Sequence, residues 1–279
     1  MLIDAAKVDM INGFLPTMFH KELFAAALHN LDDKANPLRF NNFAYSLREL
    51  LRHIFGHYAP DDNILNCSWY KNETDKENGV TRKQRMMYMI HGGILSDFFS
   101  EGMQEDLKDK MGAMVKAIDK LSKYTHIEPK TFNSQEGDVS VMVTETLDIV
   151  IDVLQLTDEC RSEVRESVHG ELYKCVDDVL SVNVFDALDD KSTHTSVDGY
   201  DLEYFTITDI DEAFITIQGE GTVYCTLQYG SGSDLRNDMG AVMEHSFPMT
   251  FECKSPTVKP YEIELHPTNI DIDDSGWYE

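Results

Sequence analysis

The chain has 279 residues, 42% of them hydrophobic, enough for one large domain or two modest ones with a buried core. The formal net charge of −26 is local in origin: residues 1–130 carry 17 Lys and Arg against 18 Asp and Glu, and residues 131–279 carry 7 against 32. A phosphate backbone is bound by displacing its counterions with Lys and Arg, so the second half is a poor nucleic-acid surface, whereas the first half stays open to one.

No segment reaches the roughly 18 apolar residues of a membrane span, and the first residues lack the basic and apolar regions of a signal peptide. The cysteines (Cys67, Cys160, Cys175, Cys225 and Cys253) are odd in number and widely spaced, with no CxxC pair. That pattern predicts a reduced, cytoplasmic setting and argues against a cysteine zinc site.

In chain order, Pro16 to Leu31 is apolar at helical spacing and stops at Asp32-Asp33. Asn36-Pro37 opens a second helix, in which Phe40, Phe43, Ala44, Leu47, Leu50, Leu51 and Ile54 form one apolar stripe; Gly56 and Ala59-Pro60 are read as its end. Residues 60–81 are polar, with Asp61-Asp62 and Asn78-Gly79 as turn signals. Thr81 caps a helix from Arg82 toward Phe99, broken near Gly92-Gly93, and another helix runs from about Glu105 to Tyr124. Helical segments are predicted at about Val139–Leu156 and Asp158–Leu188. After Ser192 the apolar period changes to that of strands: Tyr204–Thr208, Ala213–Gln218, Thr222–Tyr229, Ser246–Cys253 and Tyr261–Leu265, with Gly219-Glu-Gly221 as a hairpin turn and an acidic tail from Asp271. The expected fold class is α+β: a helical body over residues 1–190, followed by a small antiparallel β domain over 191–279.

The segment Ser46-Leu-Arg-Glu-Leu-Leu-Arg-His-Ile-Phe-Gly-His57 holds two overlapping Arg-x4-His pairs, Arg48/His53 and Arg52/His57. With 8 Arg and 10 His in the chain, roughly one Arg-x4–6-His match is expected by chance; Arg85/His91 makes a third. Placement matters more than number. Arg48 and Arg52 flank one side of the apolar stripe and His53 and His57 the other, so a straight helix would hold Arg52 and His57 about 140° apart. If the helix ends at Gly56, His57 can swing back toward Arg52, which makes that pair the preferred one. The competing reading is a group of cations at a helix C-terminus, favourable with its dipole.

The residue types suit cleavage of RNA, which carries its own nucleophile. A histidine titrating near neutrality removes the 2′-OH proton or protonates the leaving 5′-oxygen, and an arginine fork holds the phosphate. This chemistry needs no metal or other cofactor, and pairing two copies across a dimer supplies both proton transfers. Arg82, Lys83 and Arg85 at a helix start form a second anion-binding candidate, with His126 able to reach the same region; a solvated first turn is the plainer reading. A competing metal-dependent DNase site would use Asp238, Glu252 and Lys254 around Mg²⁺.

Several runs resemble one known family, the bacterial predicted pPIWI-associating nucleases. They are Phe40-Asn-Asn-Phe-Ala-Tyr-Ser-Leu-Arg-Glu-Leu-Leu-Arg-His53, Ala59-Pro-Asp-Asp62, Cys67-Ser-Trp-Tyr70, Thr81-Arg-Lys-Gln-Arg85, Gly92-Gly-Ile-Leu-Ser-Asp97 and Lys123-Tyr-Thr-His-Ile127 in the helical part. In the β part they are Leu227-Gln-Tyr-Gly-Ser-Gly-Ser-Asp234 and Ser246-Phe-Pro-Met249. The helical part also looks like the HEPN superfamily, many of whose members are RNases with an Arg-x4–6-His site. The resemblance implies a nuclease acting as a toxin or in antiphage defence, with Arg48, Arg52, His53 and His57 matching the HEPN pattern. RNA as substrate and a homodimer as the working form are the expectations that go with such an Arg/His site. His53 after Arg52 fits the polar residue that often follows that arginine; Glu49 after Arg48 departs from it. The acidic β domain would then serve as a sensor or regulator, docking a basic partner or a phage trigger. A wholly non-catalytic sensor is the alternative.

Overall fold

The computed structural model describes residues 3–278, and the chain divides into two compact units, Met1–Ser162 and Glu163–Glu279. The first unit is helical: α1 (Ala5–Phe14), α2 (Met18–Asp32), α3 (Arg39–Tyr58), α4 (Asp61–Asn66), α5 (Arg82–His91), α6 (Glu101–Tyr124) and the beginning of α7 (Glu136–Val182). The central element is α3, which packs against α2, α5 and α6. Its stripe is the expected one, with Phe40, Phe43, Ala44, Leu47, Leu50, Leu51 and Ile54 all buried. Phe24, Met86, Ile90, Met114, Ile118 and Leu121 bring the neighbouring helices onto it.

Local chemistry sets the helix starts. Asp4 caps α1 by accepting from the Ala6 amide, Ser100 caps α6 from the Met103 amide, and Thr81 and Gln84 form a reciprocal capping box on α5. Gly92, at φ 57°, stops α5, as its permissive backbone allows. In this unit two short helices stand where none was predicted. One is α1. In the other, α4, the Asp61-Asp62 pair read as a turn signal occupies the first turn, where carboxylates complement the helix dipole. The two helical segments predicted between residues 139 and 188 are one continuous helix to Val182, followed by the short α8 (Asp186–Asp189).

The second unit holds the rest of α7 and the strands, which follow the helices as expected for an α+β chain. It contains β1 (His194–Ile210), β2 (Phe214–Tyr229), the short α9 (Gly232–Arg236), β3 (Ala241–Pro256) and β4 (Ile270–Ile272), in an antiparallel sheet of order β1-β2-β3-β4. Period-2 alternation buries Phe247, Met249, Phe251 and Cys253 on one face of β3, with Ile215, Ile217, Val223, Cys225 and Leu227 of β2 beside them. Residues of α7 beyond 163 join this unit: the Tyr200 hydroxyl donates to the Tyr173 carbonyl at 2.8 Å, and the His169 and Phe205 rings lie 5.8 Å apart.

Gly219-Glu-Gly221 is not a turn. β2 runs straight through it, and its two glycines are explained by crowding: a Cβ on Gly219 would collide with the Phe251 ring and one on Gly221 with the Asp201 carbonyl. The β1–β2 turn is Asp211–Ala213, closed by the Asp211 carboxylate accepting from the Ala213 and Phe214 amides. Tyr261–Leu265 makes only an isolated bridge between Lys254 and Glu264, and the segment read as a tail contributes β4 instead.

Candidate nucleic-acid interface

One face of α3 opens onto a cleft of about 490 Å³ lined by Arg48, Glu49, Arg52, Phe55 and Gly56. The opposite wall is Arg82 and Arg85 from α5 and Ile118 from α6. Helical geometry explains the grouping: positions 48, 52, 55 and 56 recur every three or four residues and share a face. Arg82 and Arg85 share a face for the same reason, and the Thr81–Gln84 capping box fixes that first turn. The two basic clusters of the sequence are therefore one site.

The arginines are held by carboxylates. Glu49 bridges Arg48 (Nη2 at 3.0 Å) and Arg52 (Nε at 2.9 Å). The Arg52 hydrogen bond is the main reason that its carboxyl titrates below the ordinary glutamate range; burial opposes this and Arg48 reinforces it. Arg82 pairs with Asp119 at 3.0 Å and Arg85 with Asp61 at 2.5 Å, and Arg85 also donates to the Ala59 carbonyl. Four guanidiniums thus face three carboxylates, leaving the cleft basic. The Arg82–Asp119 pair is solvent-exposed on both sides, so it holds weakly. Lys83 is exposed on the first turn of α5. His126 is exposed just after Thr125, whose hydroxyl lies 3.5 Å from Arg48.

The histidines stand on another face. Gly56 does not end α3, which continues to Tyr58 and is closed at Ala59, whose amide donates to the Phe55 carbonyl. The swing of His57 toward Arg52 therefore does not occur. Arg52 instead meets its neighbour: its Nη2 is 3.0 Å from His53 Nε2. His53 and His57 face α2, where Phe19 and His20 complete a cluster; the Phe19 ring is 5.1 Å from His53, and His20 lies 6.3 Å from His53 and 5.9 Å from His57. Arg52 sits on the ridge between cleft and cluster, touching Glu49 on one side and His53 on the other.

The third motif match falls away. Arg85 turns to Ala59 and Asp61, while His91 is buried between Trp69 and Phe99, and burial pushes its pKa down to about 4.

Two family models match the chain, both described as predicted pPIWI-associating nuclease, one over residues 12–150 and the other over 157–278. The chain belongs to that family. No curated protein and no solved structure matches it. Membership supports a nuclease role and nucleic acid as the ligand, and the first match contains the whole arginine cleft and the histidine cluster. Among the described residues, no helix is long and apolar enough to cross a membrane.

The Mg²⁺ alternative on the sheet is not assembled. Asp238 lies in the turn before β3, while Glu252 is eleven positions past Ala241 along that strand. At about 3.3 Å per residue this is about 36 Å of strand. Glu252 is instead engaged by the Gln218 side chain at 2.9 Å.

Three residues of the interface have no place in the motif reading. Glu49 counted only as a departure from the pattern. Tyr45, 54% exposed, lies 5.7 Å from the Arg48 guanidinium and offers an aromatic face for a base. His20 falls in an apolar-periodic helix, where a histidine reads as core.

Proposed function

We propose that the protein is a metal-independent endoribonuclease of the HEPN type. In this reading the RNA backbone lies in the α3–α5 cleft, held by Arg48, Arg82 and Arg85 with Lys83 and His126 at its margins, and the scissile phosphate sits over the Arg52 ridge beside the histidines. Arg52 supports the charge that builds on the transition-state oxygens. His53, already hydrogen-bonded to Arg52, takes the 2′-OH proton; O2′ bonds to phosphorus, the P–O5′ bond breaks, and His57 protonates the leaving oxygen. The product is a 2′,3′-cyclic phosphate. The observation that carries the reading is Arg52 on the ridge, bonded to His53 and lining a cleft of four arginines, in a chain that belongs to a predicted nuclease family.

The expected assembly is a homodimer. The expected setting is a toxin or antiphage effector, whose acidic β unit receives a basic partner or a phage trigger. The test is cleavage of single-stranded RNA in EDTA, compared with Arg52→Ala and His53→Ala. Loss of wild-type activity on chelation would overturn the mechanism.

A second reading, a protein that binds nucleic acid or a trigger without cutting, draws support from the carboxylate held on each cleft arginine. Persistence of the cellular phenotype in the His53→Ala/His57→Ala double variant would favour it.

A further inference from the structure

We propose that His20 is a positioning residue of this same site, passing a proton between His53 and His57 so that one chain supplies both proton transfers. The proposal rests on the ribonuclease reading above, but its structural premises are independent of it.

His20 is 6% exposed on α2, and its Nδ1 is fixed by the Thr17 hydroxyl at 2.7 Å. That contact turns Nε2 inward, where it is buried without a hydrogen-bond partner. A buried nitrogen left unsatisfied is costly, and an apolar side chain would fill the same space without the cost. The titratable groups facing it are both imidazoles of α3, His53 at 6.3 Å and His57 at 5.9 Å between ring centres. A single water or a small ring rotation brings either within proton-transfer reach. Burial holds the His20 pKa below its ordinary value, and any charge on His57 and His53 adds to the effect. The His53 backbone lies near enough to oppose the shift without completing a hydrogen bond. A neutral imidazole between two that change charge is suited to carrying a proton without keeping it.

The balance is simple. One cleavage leaves His53 protonated by the 2′-OH and His57 deprotonated by the leaving oxygen. His20 Nε2 accepts the proton from His53 and gives it to His57, restoring both residues without a second chain. Thr17 keeps the ring aimed throughout: with Nδ1–H donating to the Thr17 hydroxyl, Nε2 carries the lone pair and is the exchanging end.

Two measurements test this. The first is ¹⁵N NMR of histidine-labelled wild-type protein between pH 5 and 8, which requires neither RNA nor a variant. The His20 ring nitrogens should shift across the series together with those of His53 and His57. His20 signals that stay flat through that titration overturn the proposal, whether or not the protein cuts RNA. Coupled signals in a protein that cuts no RNA would sink the nuclease reading while leaving the proton coupling standing. The second uses His20→Gln on RNA. Multiple-turnover cleavage should fall at least tenfold, the first turnover should be nearly unchanged, and imidazole in the buffer should restore the turnover rate. Equal loss of both phases with no imidazole rescue would make His20 merely structural and contradict the relay.

Discussion

His91 offers a test of the packing around the candidate site that can be worked out in magnitude. It is 1% exposed, its ring sits 6.1 Å from Trp69 and 5.7 Å from Phe99, and burial pushes its pKa down to about 4, from 6.5 for an unperturbed imidazole. The folded value is the lower one, so between pH 6.5 and 4 the unfolded chain takes up a proton that the folded chain refuses. The associated stability is fully present above about pH 6.5 and is lost as the pH falls through that window. Each pH unit inside it is worth about 1.4 kcal/mol, so acidification from pH 7 to pH 5 should remove about 2 kcal/mol through His91 alone. Replacing it with phenylalanine, an aromatic side chain that cannot titrate, should abolish this component. The assay is urea unfolding of the His91→Phe variant and its parent at both pH values. The chain has two tryptophans, so a Trp277→Phe background leaves Trp69 as the sole reporter of the helical unit. Comparing the pH-dependent loss in the two proteins cancels the constant packing change. If both lose the same stability between pH 7 and 5, His91 is not a buried neutral imidazole, and the Arg85/His91 pair returns to consideration.

Other outcomes follow from the cleft and the sheet. Glu49→Gln should free Arg48 and Arg52 and tighten single-stranded RNA binding about fivefold, equivalent to about 1 kcal/mol, by fluorescence anisotropy at fixed salt; weaker binding would mean that Glu49 positions the arginines rather than restraining them. Arg82→Ala should reduce the slope of log affinity against log salt by about 0.7, the contribution of one phosphate contact on a single strand, and an unchanged slope would remove Arg82 from the interface. Gln84→Ala breaks the capping box and should cost the helical unit about 1 kcal/mol in chemical denaturation. Gly221→Ala pushes a methyl into the Asp201 carbonyl and should cost the sheet unit about 1–3 kcal/mol; a neutral result would show that β1 can move away.

The legible parts of the fold were those with strong periodicity. The α3 stripe from Phe40 to Ile54 and the change of period after Ser192 both stand in the structure as read. Glycine caused two of the misreadings. At Gly56 the helical penalty of about 1 kcal/mol is local, whereas Ile54 and Phe55 on the same turn are buried, so packing carries the helix through. At Gly219 and Gly221 the glycines answer to neighbours, Phe251 and Asp201, that only the folded sheet brings close. The candidate site was half visible. Arg48, Arg52, Arg82 and Arg85 were all singled out, but their convergence depends on α3 packing against α5 about 30 residues away. His20 was invisible, because only the α2–α3 packing turns a core-like histidine into a neighbour of His53 and His57.

The proposed reaction requires the 2′-hydroxyl as nucleophile, and one measurement addresses it directly. Purified protein is given an RNA oligonucleotide and a matched oligonucleotide with a single 2′-deoxy residue at the mapped cut, both in EDTA, and the products are resolved by mass. The proposed reaction gives cleavage of the RNA to a 2′,3′-cyclic phosphate end and no cut at the deoxy position, and Arg52→Ala cuts neither oligonucleotide. Cleavage at the deoxy position, or a product with a plain 3′-hydroxyl, would contradict it.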